Sequence, residues 1–311
     1  MRGITALATS AGAENQRPIG EEMGKKRVRK PTHIRSSECA LKLDRTQLVT
    51  DIDAKPSLPT EDFDVINDRF VSQQTTVKTY LRSRMLQSRH SGLKVFWQYE
   101  RQHKFLYASK VTLISDDRRG LARTDFPLAL QNYLPILAEF AFDFGIPSEV
   151  NQAFVERHAV FGKSRPDPDR GGDGQLRYGG RNSDKLVRAY SKPSVEAFRI
   201  EVEMHSRLLR QTNVRTVADL SGAALAIVPD HFLLVEINWD LLRSHLLRRF
   251  QSAGNRLIKA IKARASIHSA MRYLRGNGVQ NPHRFLQPIP QNALMRRAAT
   301  TWVRQFEGGA L

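Results

Sequence analysis

Apolar and ionisable residues alternate strictly over residues 198–206, FRIEVEMHS. A strand with this pattern has one wholly apolar face and one face that carries ionisable side chains. On the second face, Glu201 and Glu203 would lie about 7 Å apart, within reach of one divalent ion. Oxygen ligands favour Mg²⁺ or Mn²⁺ over zinc, so the pattern predicts a site for one of these ions. The alternative is an amphipathic strand whose ionisable face is wet and salt-bridged.

A glycine turn precedes this segment, within residues 176–192, LRYGGRNSDKLVRAYSK. The segment predicts a β-hairpin, and alternation places Arg188, Tyr190 and Lys192 on one face of its second strand. A tyrosine between two cations suits contact with a phosphodiester. Tyr178 lies before the turn in similarly basic surroundings. The alternative is a hairpin whose aromatic rings pack and whose cations are solvated.

A third alternating segment, residues 140–145 with the sequence FAFDFG, predicts a half-buried strand. In that strand Asp143 shares a face with Glu139. Asp143 would therefore add a carboxylate to the pair formed by Glu201 and Glu203, as a further ligand for the same divalent ion.

Other segments complete the predicted order of elements. Residues 92–114 predict two strands joined by a polar turn. Residues 126–140 have helix-like spacing, and Pro135 would break that helix or begin it. Residues 223–229, AALAIVP, and residues 232–237, FLLVEI, predict short strands.

The pattern changes near Trp239, where apolar residues begin to recur at spacings of three and four behind Asp240, a fair helix start. The chain is therefore predicted to be α+β, with a mainly antiparallel sheet that carries the site and a basic helical C-terminal region. We expect a site domain over residues 61–238 and a DNA-binding region over residues 239–311. Residues 1–60 lack periodicity and predict a mostly disordered basic arm.

Charge indicates the class of partner. The 311 residues carry a formal net charge of +18, and the pI is about 10.4. Residues 241–311 hold thirteen Lys or Arg and one acid, Glu307. Such an excess favours a polyanionic partner, although a solvated helical face is the alternative. The candidate DNA-binding cations are Arg181, Lys185, Arg248, Arg249, Arg256, Lys259, Lys262 and Arg264.

Several classes of protein are disfavoured. A single cysteine, Cys39, excludes a disulfide scaffold and a Cys-rich zinc site, and it fits a reducing compartment. The chain has no apolar stretch of membrane-spanning length, so we expect a cytoplasmic protein with no membrane partner. The sequence also lacks a phosphate-binding glycine loop, a His–hydrophobe–His triplet and a nucleophile elbow.

Residues 178–209 resemble the trans-acting replication-initiation factors of rolling-circle plasmids, which have relatives in conjugative elements and phages. The resemblance lies in the glycine turn followed by Ser and Arg-x-Tyr-x-Lys, and in the Arg-x-Glu strand after it. The segment AEFAFDFG is similar to the aspartate-bearing strand of that family. In all, the resemblance covers roughly residues 105–215, about a third of the chain.

The resemblance implies an enzyme that nicks one strand of origin DNA. A tyrosine hydroxyl attacks the phosphorus and leaves a 5′-phosphotyrosine link and a free 3′-hydroxyl. Tyr190 is the first candidate for this nucleophile and Tyr178 the second. Arg188 and Lys192 would neutralise the transition state.

The resemblance also implies further roles and partners. Arg199 would hold the phosphate or orient Glu201, and His205 would be a metal ligand, a proton acceptor or a plain strand-end residue. Asp143, Glu201 and Glu203 would hold Mg²⁺ or Mn²⁺. The implied partners are double-stranded origin DNA, single-stranded DNA, a second copy of the chain and a host helicase.

Two alternative functions remain open. One is a non-enzymatic DNA-binding protein with a structural carboxylate strand, and the other is a single-stranded nucleic-acid or RNA packaging protein that stacks bases on its aromatic rings. Convergence of Asp143, Glu201 and Glu203 near a tyrosine hydroxyl would favour the nicking enzyme, and their dispersion would favour a binding protein.

Overall fold

A large antiparallel sheet dominates the computed structural model of the protein. The structure describes residues 38–50, 63–70, 80–89, 93–104, 106–115, 133–145, 149–160, 169–170, 175–180 and 183–308. The strands in these ranges are β1 (Cys39–Thr50), β2 (Phe63–Phe70), β3 (Tyr80–Ser88), β4 (Leu93–Arg101), β5 (Ser109–Ser115), β6 (Leu134–Phe144), β7 (Ala159–Val160), β8 (Asp169–Arg170), β9 (Leu176–Tyr178), β10 (Lys185–Lys192), β11 (Ala197–His205), β12 (Leu233–Ile237) and β13 (Leu286–Pro288).

Helices follow the sheet strands, mostly in the C-terminal third. They are α1 (Glu149–His158), α2 (Ser206–Gln211), α3 (Leu220–Ala226), α4 (Trp239–Phe250), α5 (Ser252–Lys262), α6 (Ile267–Gly276) and α7 (Gln291–Gly308). A π-helical turn spans Ile227–His231, and short 3-10 turns span Pro193–Val195 and Pro282–Phe285. None of these described helices is long and apolar enough to cross a bilayer.

Strand order places the hairpin and the alternating strands side by side. The large sheet runs β2-β3-β4-β5-β1-β6-β11-β10-β9-β8, and β13-β12-β7 form a small second sheet. Neighbouring strands are antiparallel throughout. The α+β class with a mainly antiparallel sheet is thus confirmed.

One face of the central strands forms the main hydrophobic core. Leu43, Phe140 and Val202 stand side by side on β1, β6 and β11 and are almost completely buried. α7 packs on this face, where the ring of Trp302 meets that of Phe140 edge-on at 5.9 Å between centroids. Burial of each such side chain contributes roughly 1.5–3 kcal/mol, which holds the C-terminal helix on the sheet.

The helix expected over residues 126–140 is wrong for its described part. Leu134–Phe144 is one strand, β6, and nearly all of it is buried on both faces, so its apolar run imitates helical spacing. Pro135 lies at the second residue of β6, opposite Leu48 and beside a register shift at which Ile136 of β6 has no partner on β1. A proline is tolerated at a strand start and at such an irregularity because no regular ladder hydrogen bond is lost.

A second error concerns residues 223–229. Most of this segment is helical, because α3 ends at Ala226 and a π-helical turn continues through Pro229. Alanine is the best helix former, and the run is too short for periodicity to separate a strand from a helix. The neighbouring prediction is confirmed, since Leu233–Ile237 forms β12.

The expected disordered arm also needs correction. Cys39–Thr50 forms β1, which lies between β5 and β6 in the middle of the sheet. Its apolar residues alternate in LKLDRTQLV, but that alternation breaks at Asp44 and Arg45 and so hides the strand. Residues 1–37 and 51–60 lie outside the described residues, and the prediction for them stays a prediction.

The change of pattern near Trp239 coincides with the start of α4. Asn238, rather than Asp240, caps this helix, because its side-chain oxygen accepts a hydrogen bond from the Leu241 amide at 3.0 Å. Helices α4, α5 and α6 pack with β12 around a second hydrophobic core. At Gly254 a Cβ atom would lie 2.7 Å from the carbonyl oxygen of Leu246, so glycine permits the close approach of α5 to α4.

Candidate functional site

The second face of the central sheet is ionisable, and strand register assembles it from β10, β11, β6 and β1. The rows read across β10, β11 and β6 are Tyr190–Arg199–Asp143, Arg188–Glu201–Ala141 and Leu186–Glu203–Glu139. β1 continues the last row with Arg45, which pairs with Glu139. The predicted hairpin and the two predicted carboxylate strands therefore meet on one surface.

The centre of this ionisable face is buried. Arg199 is 1% exposed, Glu201 2% and Glu139 4%. At the edges of the face, Arg45 and Arg188 are 37% and 23% exposed. The alternative of a wet, salt-bridged strand face was therefore right about the salt bridges and wrong about water around the carboxylates of β6 and β11. Charges buried to this degree must be paired, because an isolated charge in the protein interior is very costly.

Arg199 and Asp143 form a two-point ion pair at one end of the face. Arg199 Nε lies 2.6 Å from Asp143 Oδ1, and a terminal guanidinium nitrogen lies 2.9 Å from Oδ2. Lys42 Nζ also contacts Asp143 at 2.8 Å. Burial would raise the pKa of Asp143, but the hydrogen bonds from Arg199 and Lys42 outweigh it and hold that pKa below its ordinary value. Asp143 is thus an ionised partner of two cations.

Tyr190 contacts Glu201 directly. The tyrosine hydroxyl donates a hydrogen bond to Glu201 Oε1 at 2.5 Å. Burial, the hydrogen bond to Glu201 and the charge of Glu201 together raise the pKa of Tyr190. At neutral pH the phenol therefore keeps its proton, and that proton points at a carboxylate able to accept it.

Arg188 lies among three carboxylates. Its Nε is 2.9 Å from Glu201 Oε2, and one terminal nitrogen is 2.8 Å from Glu139 Oε2 and 3.6 Å from Glu203 Oε2. About a quarter of its side chain, 23%, is exposed, in contrast to the buried Arg199. Arg188 therefore combines acidic partners with access to solvent, as does Arg45, which contacts Glu139 and Glu203 and is 37% exposed.

A β-bulge brings an unforeseen acid to the face. The register of β1 against β6 shifts between Leu43 and Arg45, so Asp44 is the extra residue. Its side chain reaches Arg199, with Oδ1 2.9 Å from a terminal guanidinium nitrogen. Bulges re-aim side chains in this way and are frequent beside functional sites.

Asp44, Glu139 and Glu201 form the acidic group that could hold a metal ion. One carboxylate oxygen from each lies within 4.8 Å of the other two. The Oε2 atoms of Glu139 and Glu201 are buried and accept no hydrogen bond within the described residues, although Arg188 is at ion-pair distance. An all-oxygen donor set of this kind fits Mg²⁺ or Mn²⁺, and at present Arg188 supplies the positive charge beside two of its oxygens.

Crowding of these acids changes the chemistry of Glu139. Burial and the neighbouring charge of Glu201 raise the pKa of Glu139 to about 7, against the lowering effect of Arg188 and Arg45. Near neutral pH this carboxyl group is therefore divided between its protonated and ionised forms. A cation at the group would favour the ionised form.

The predicted ligand set is only partly assembled. Glu201 belongs to the acidic group, whereas Asp143 is held by Arg199 and Lys42 on the other side of the guanidinium. Glu203 contacts Arg45 at 3.0 Å and His205 Nε2 at 2.8 Å.

His205 thus meets Glu203 rather than the Tyr190 hydroxyl. The residues that sequence reasoning missed as ligands are Asp44 and Glu139, and only Glu139 had a sequence signal, its shared face with Asp143.

The two candidate tyrosines lie on opposite faces of the sheet. Tyr178 pairs with Val187 on β10, so it shares the apolar face, and it is buried in the main hydrophobic core. Tyr190 shares the ionisable face with Arg188. Lys192 lies on the face of Tyr190 at the end of β10 and is partly exposed.

The predicted DNA-binding cations divide into three sets. Arg181 lies outside the described residues. Lys185 points to the helical side of the sheet, where its Nζ donates to the backbone oxygen of His231 at 2.7 Å, so it is a structural contact there. The remaining cations lie on or next to α4 and α5. Arg248, Arg249, Arg256, Lys259 and Lys262 are exposed, and Arg264 is partly buried.

Aromatic rings hold some of these cations in place. Arg264 lies over the ring of Tyr273 at 4.2 Å from its centroid, and Lys262 lies over Trp239 at 5.3 Å. Such cation–π contacts contribute about 0.5–1 kcal/mol at exposed sites. The basic surface of the C-terminal helices is therefore partly ordered before any partner binds.

Comparison of the chain with protein-family models and with curated proteins finds no match.

Proposed function

We propose that the protein is a metal-dependent enzyme that nicks and rejoins one strand of DNA through Tyr190. One observation carries the proposal: the Tyr190 hydroxyl donates a 2.5 Å hydrogen bond to Glu201, and Glu201 belongs to the acidic group with Asp44 and Glu139. A hydroxyl nucleophile, a carboxylate that can take its proton and a set of oxygen ligands therefore occupy one site.

The reaction follows from these positions. The Tyr190 oxygen attacks the phosphorus of the scissile phosphodiester, and its proton passes to Glu201 Oε1. The bond from phosphorus to the 3′-oxygen breaks, so the products are a 5′-phosphotyrosine and a 3′-hydroxyl that takes up a proton. Attack by that 3′-hydroxyl on the phosphotyrosine reverses the step and reseals the strand.

Arg188 and the acidic group have distinct parts in this proposal. Asp44, Glu139 and Glu201 would hold Mg²⁺ or Mn²⁺, and the bound ion supplies Lewis-acid polarisation of a phosphoryl oxygen. Arg188 can turn from the carboxylates towards a phosphate because part of its side chain is exposed. Arg199 is saturated by Asp143 and Asp44 and buried, so we assign it the positioning of Glu201 and Asp44 rather than contact with DNA.

The proposed substrates are double-stranded origin DNA and single-stranded DNA. Exposed cations on α4 and α5 support binding to a polyanion. A second copy of the chain and a host helicase stay predictions drawn from the family resemblance. A cytoplasmic location stays a prediction drawn from the single cysteine and the lack of an apolar stretch of membrane-spanning length in the sequence.

A nicking assay tests the proposal. Supercoiled plasmids carrying candidate origins would be incubated with the protein and with Mg²⁺, Mn²⁺ or EDTA. We expect relaxed product that needs the metal and that falls at least about a hundredfold in Glu201→Gln. His205→Gln is the control, because His205 contacts Glu203 and lies outside the acidic group. Equal nicking by Glu201→Gln and wild type would remove Glu201 from the reaction.

A second candidate function is a non-enzymatic DNA-binding protein. The observation that favours it is that every carboxylate of the ionisable face is within 3.1 Å of a basic side chain, which a purely structural network requires. Absence of nicking on every plasmid and single-stranded substrate, with DNA binding retained, would select this candidate. The nucleic-acid packaging protein stays a further alternative.

A further inference from the structure

A cleft separate from the ionisable face lies between α1 and the C-terminal helices. It has a volume of about 80 Å³ and opens to solvent, and its walls come from α1, β12, α4, α5 and α6. This is smaller than the roughly 300–1,000 Å³ of sites that enclose a whole small ligand, so the cleft would hold one group of a ligand and leave the rest at its open mouth. The cleft combines an apolar wall, formed by Ile237, Trp239 and Ile261, with two arginines, Arg157 and Arg264.

Arg264, which lines this cleft, carries an unsatisfied donor. Its Nε is buried and has no hydrogen-bond partner within the described residues. Its guanidinium lies 4.2 Å from the centroid of the Tyr273 ring, which fixes its position without satisfying that donor. A buried donor without a partner lowers the free energy of unfolding by about 1–3 kcal/mol unless an acceptor forms a hydrogen bond with it. The missing acceptor would have to come from outside the described residues.

Arg157 supplies the second positive charge. No carboxylate of the described residues lies within ion-pair distance of its guanidinium. Its neighbour His158 forms a rigid wall, because Nδ1 lies 2.8 Å from the backbone oxygen of Val235 and the ring stacks on Phe154 at 4.4 Å. Burial, together with the charge of Arg157, lowers the pKa of His158, so this wall is neutral at pH 7.

Glu236 is the acidic residue among those that line the cleft. Its side chain already accepts a hydrogen bond from Gln287 Nε2 at 2.8 Å. With Arg157 and Arg264 both positive, the lining still carries an excess positive charge. Lys262 adds to it at the mouth, because its Nζ lies over the ring of Trp239, which lines the cleft.

We propose that this cleft binds a nucleotide phosphate, with the two arginines on the phosphate and the base against the apolar wall of Trp239. Arginine suits a phosphate because its planar donors meet two oxygens at once. An indole is a general platform for bases, since every base has a π-face. The nucleotide is either a free mononucleotide or one nucleotide of a DNA strand, and both present the same phosphate and base.

Tryptophan fluorescence of the full chain can test the proposal. Trp97 and Trp302 are buried, 2% and 7% exposed, whereas Trp239 is partly exposed and lines the cleft. The probes are thymidine 5′-monophosphate, thymidine without phosphate and a hexathymidylate strand. We expect saturable quenching by the monophosphate or by the strand, no saturation by thymidine, and loss of the signal in Trp239→Phe. Saturation by the strand but not by the monophosphate would identify a DNA strand as the source of the nucleotide.

Substitutions distinguish binding in the cleft from a general effect of positive charge on the protein surface. Arg157→Gln and Arg264→Gln should each weaken binding at least tenfold, while Arg297→Gln, at an exposed cation of α7, should not. If Arg264→Gln unfolds, Arg157→Gln alone decides the matter. Binding should be unchanged in Tyr190→Phe, so a failure of the nicking proposal would not affect this result. The inference is overturned if no phosphate-bearing probe saturates, or if Arg157→Gln binds as tightly as the wild type.

Discussion

Arg199 and Asp143 are joined through two guanidinium nitrogens and both carboxylate oxygens, on a sheet face where Arg199 is 1% exposed. Neither residue is near the other in sequence, since β11 and β6 meet only in the folded sheet. The pair anchors one end of the ionisable face. Asp44 and Glu201 are then arranged around the same guanidinium.

This pair leads to a stability prediction. Asp143→Asn leaves a buried guanidinium without its ionised two-point partner, and breaking such a pair typically costs about 3–5 kcal/mol of unfolding free energy. The same substitution at Asp64 is the control, because its pair with Arg89 at 2.8 Å is exposed and such pairs contribute about 0–1 kcal/mol. Urea unfolding measures both variants. If Asp143→Asn and Asp64→Asn lowered the free energy of unfolding by similar amounts, the prediction for the buried pair would be wrong.

Local alternation predicted the site strands well, because a period of two depends only on neighbouring residues. Residues 198–205 and 185–192 form strands whose faces are those expected, with Glu201, Arg188 and Tyr190 on one surface. The C-terminal helices were likewise visible from their three- and four-residue spacing. In each case the element has one apolar face, so the sequence pattern records burial directly.

Long-range pairing explains what could not be predicted. Asp44 reaches the site because a bulge in β1 turns it there, and a bulge depends on the partner strand β6. The segment that contains Pro135 was predicted to be helical, although it belongs to strand β6. Because β6 is buried on both faces, its sequence lacks the alternation of apolar and polar residues that indicates a strand. Tyr190 and Tyr178 were the first and second candidates for the nucleophile, and only the register of β9 against β10 shows that they lie on opposite faces.

The raised pKa of Glu139 predicts a pH dependence of stability. Its pKa moves from 4.5 to about 7 on folding, so the folded protein binds more protons than the unfolded chain between these values. The contribution of Glu139 is therefore greatest below about pH 4.5 and is lost as the pH rises through 7, by roughly 3 kcal/mol. Urea unfolding of wild type and Glu139→Gln between pH 4.5 and 8 measures it. The difference in free energy of unfolding between wild type and Glu139→Gln should change with pH. If the two proteins showed parallel curves of unfolding free energy against pH, the prediction would be wrong.

The exposed cations of α5 predict a salt-dependent affinity for DNA. Replacing Arg256, Lys259 and Lys262 with Gln should reduce the slope of log affinity against log salt by up to about 0.9 for each lost phosphate contact. Substitution is preferable to deleting residues 241–311, because α7 contributes Trp302 to the core of the sheet. A gel-shift titration on duplex DNA at several salt concentrations gives the slope.

A control with the same loss of charge distinguishes position from net charge. The triple variant with Arg296, Arg297 and Arg304 replaced by Gln removes three exposed cations from α7. Its slope should stay close to that of the wild type. If both triple variants lose the same slope, net charge rather than the α5 face governs binding.

Tyr190→Phe is the sharpest test of the proposed reaction. The change removes the hydroxyl that donates to Glu201 and leaves the ring, Arg188 and Lys192 in place, so DNA affinity should hold within a few-fold. Without an attacking oxygen, the covalent protein–DNA adduct should disappear. A denaturing gel with a labelled oligonucleotide reports the adduct as a slow, protease-sensitive band.

Tyr178→Phe is the matched control for this experiment. The same atom is removed on the other face of the sheet, where Tyr178 lies in the hydrophobic core and faces away from the acidic group. The adduct should therefore persist in Tyr178→Phe. If instead Tyr178→Phe loses the adduct and Tyr190→Phe keeps it, the nucleophile acts from the apolar face, and the contact between Tyr190 and Glu201 is structural. If the wild type still binds DNA but forms no adduct on any supercoiled or single-stranded substrate, the ion pairs of the ionisable face serve stability alone and the protein binds DNA without cutting it.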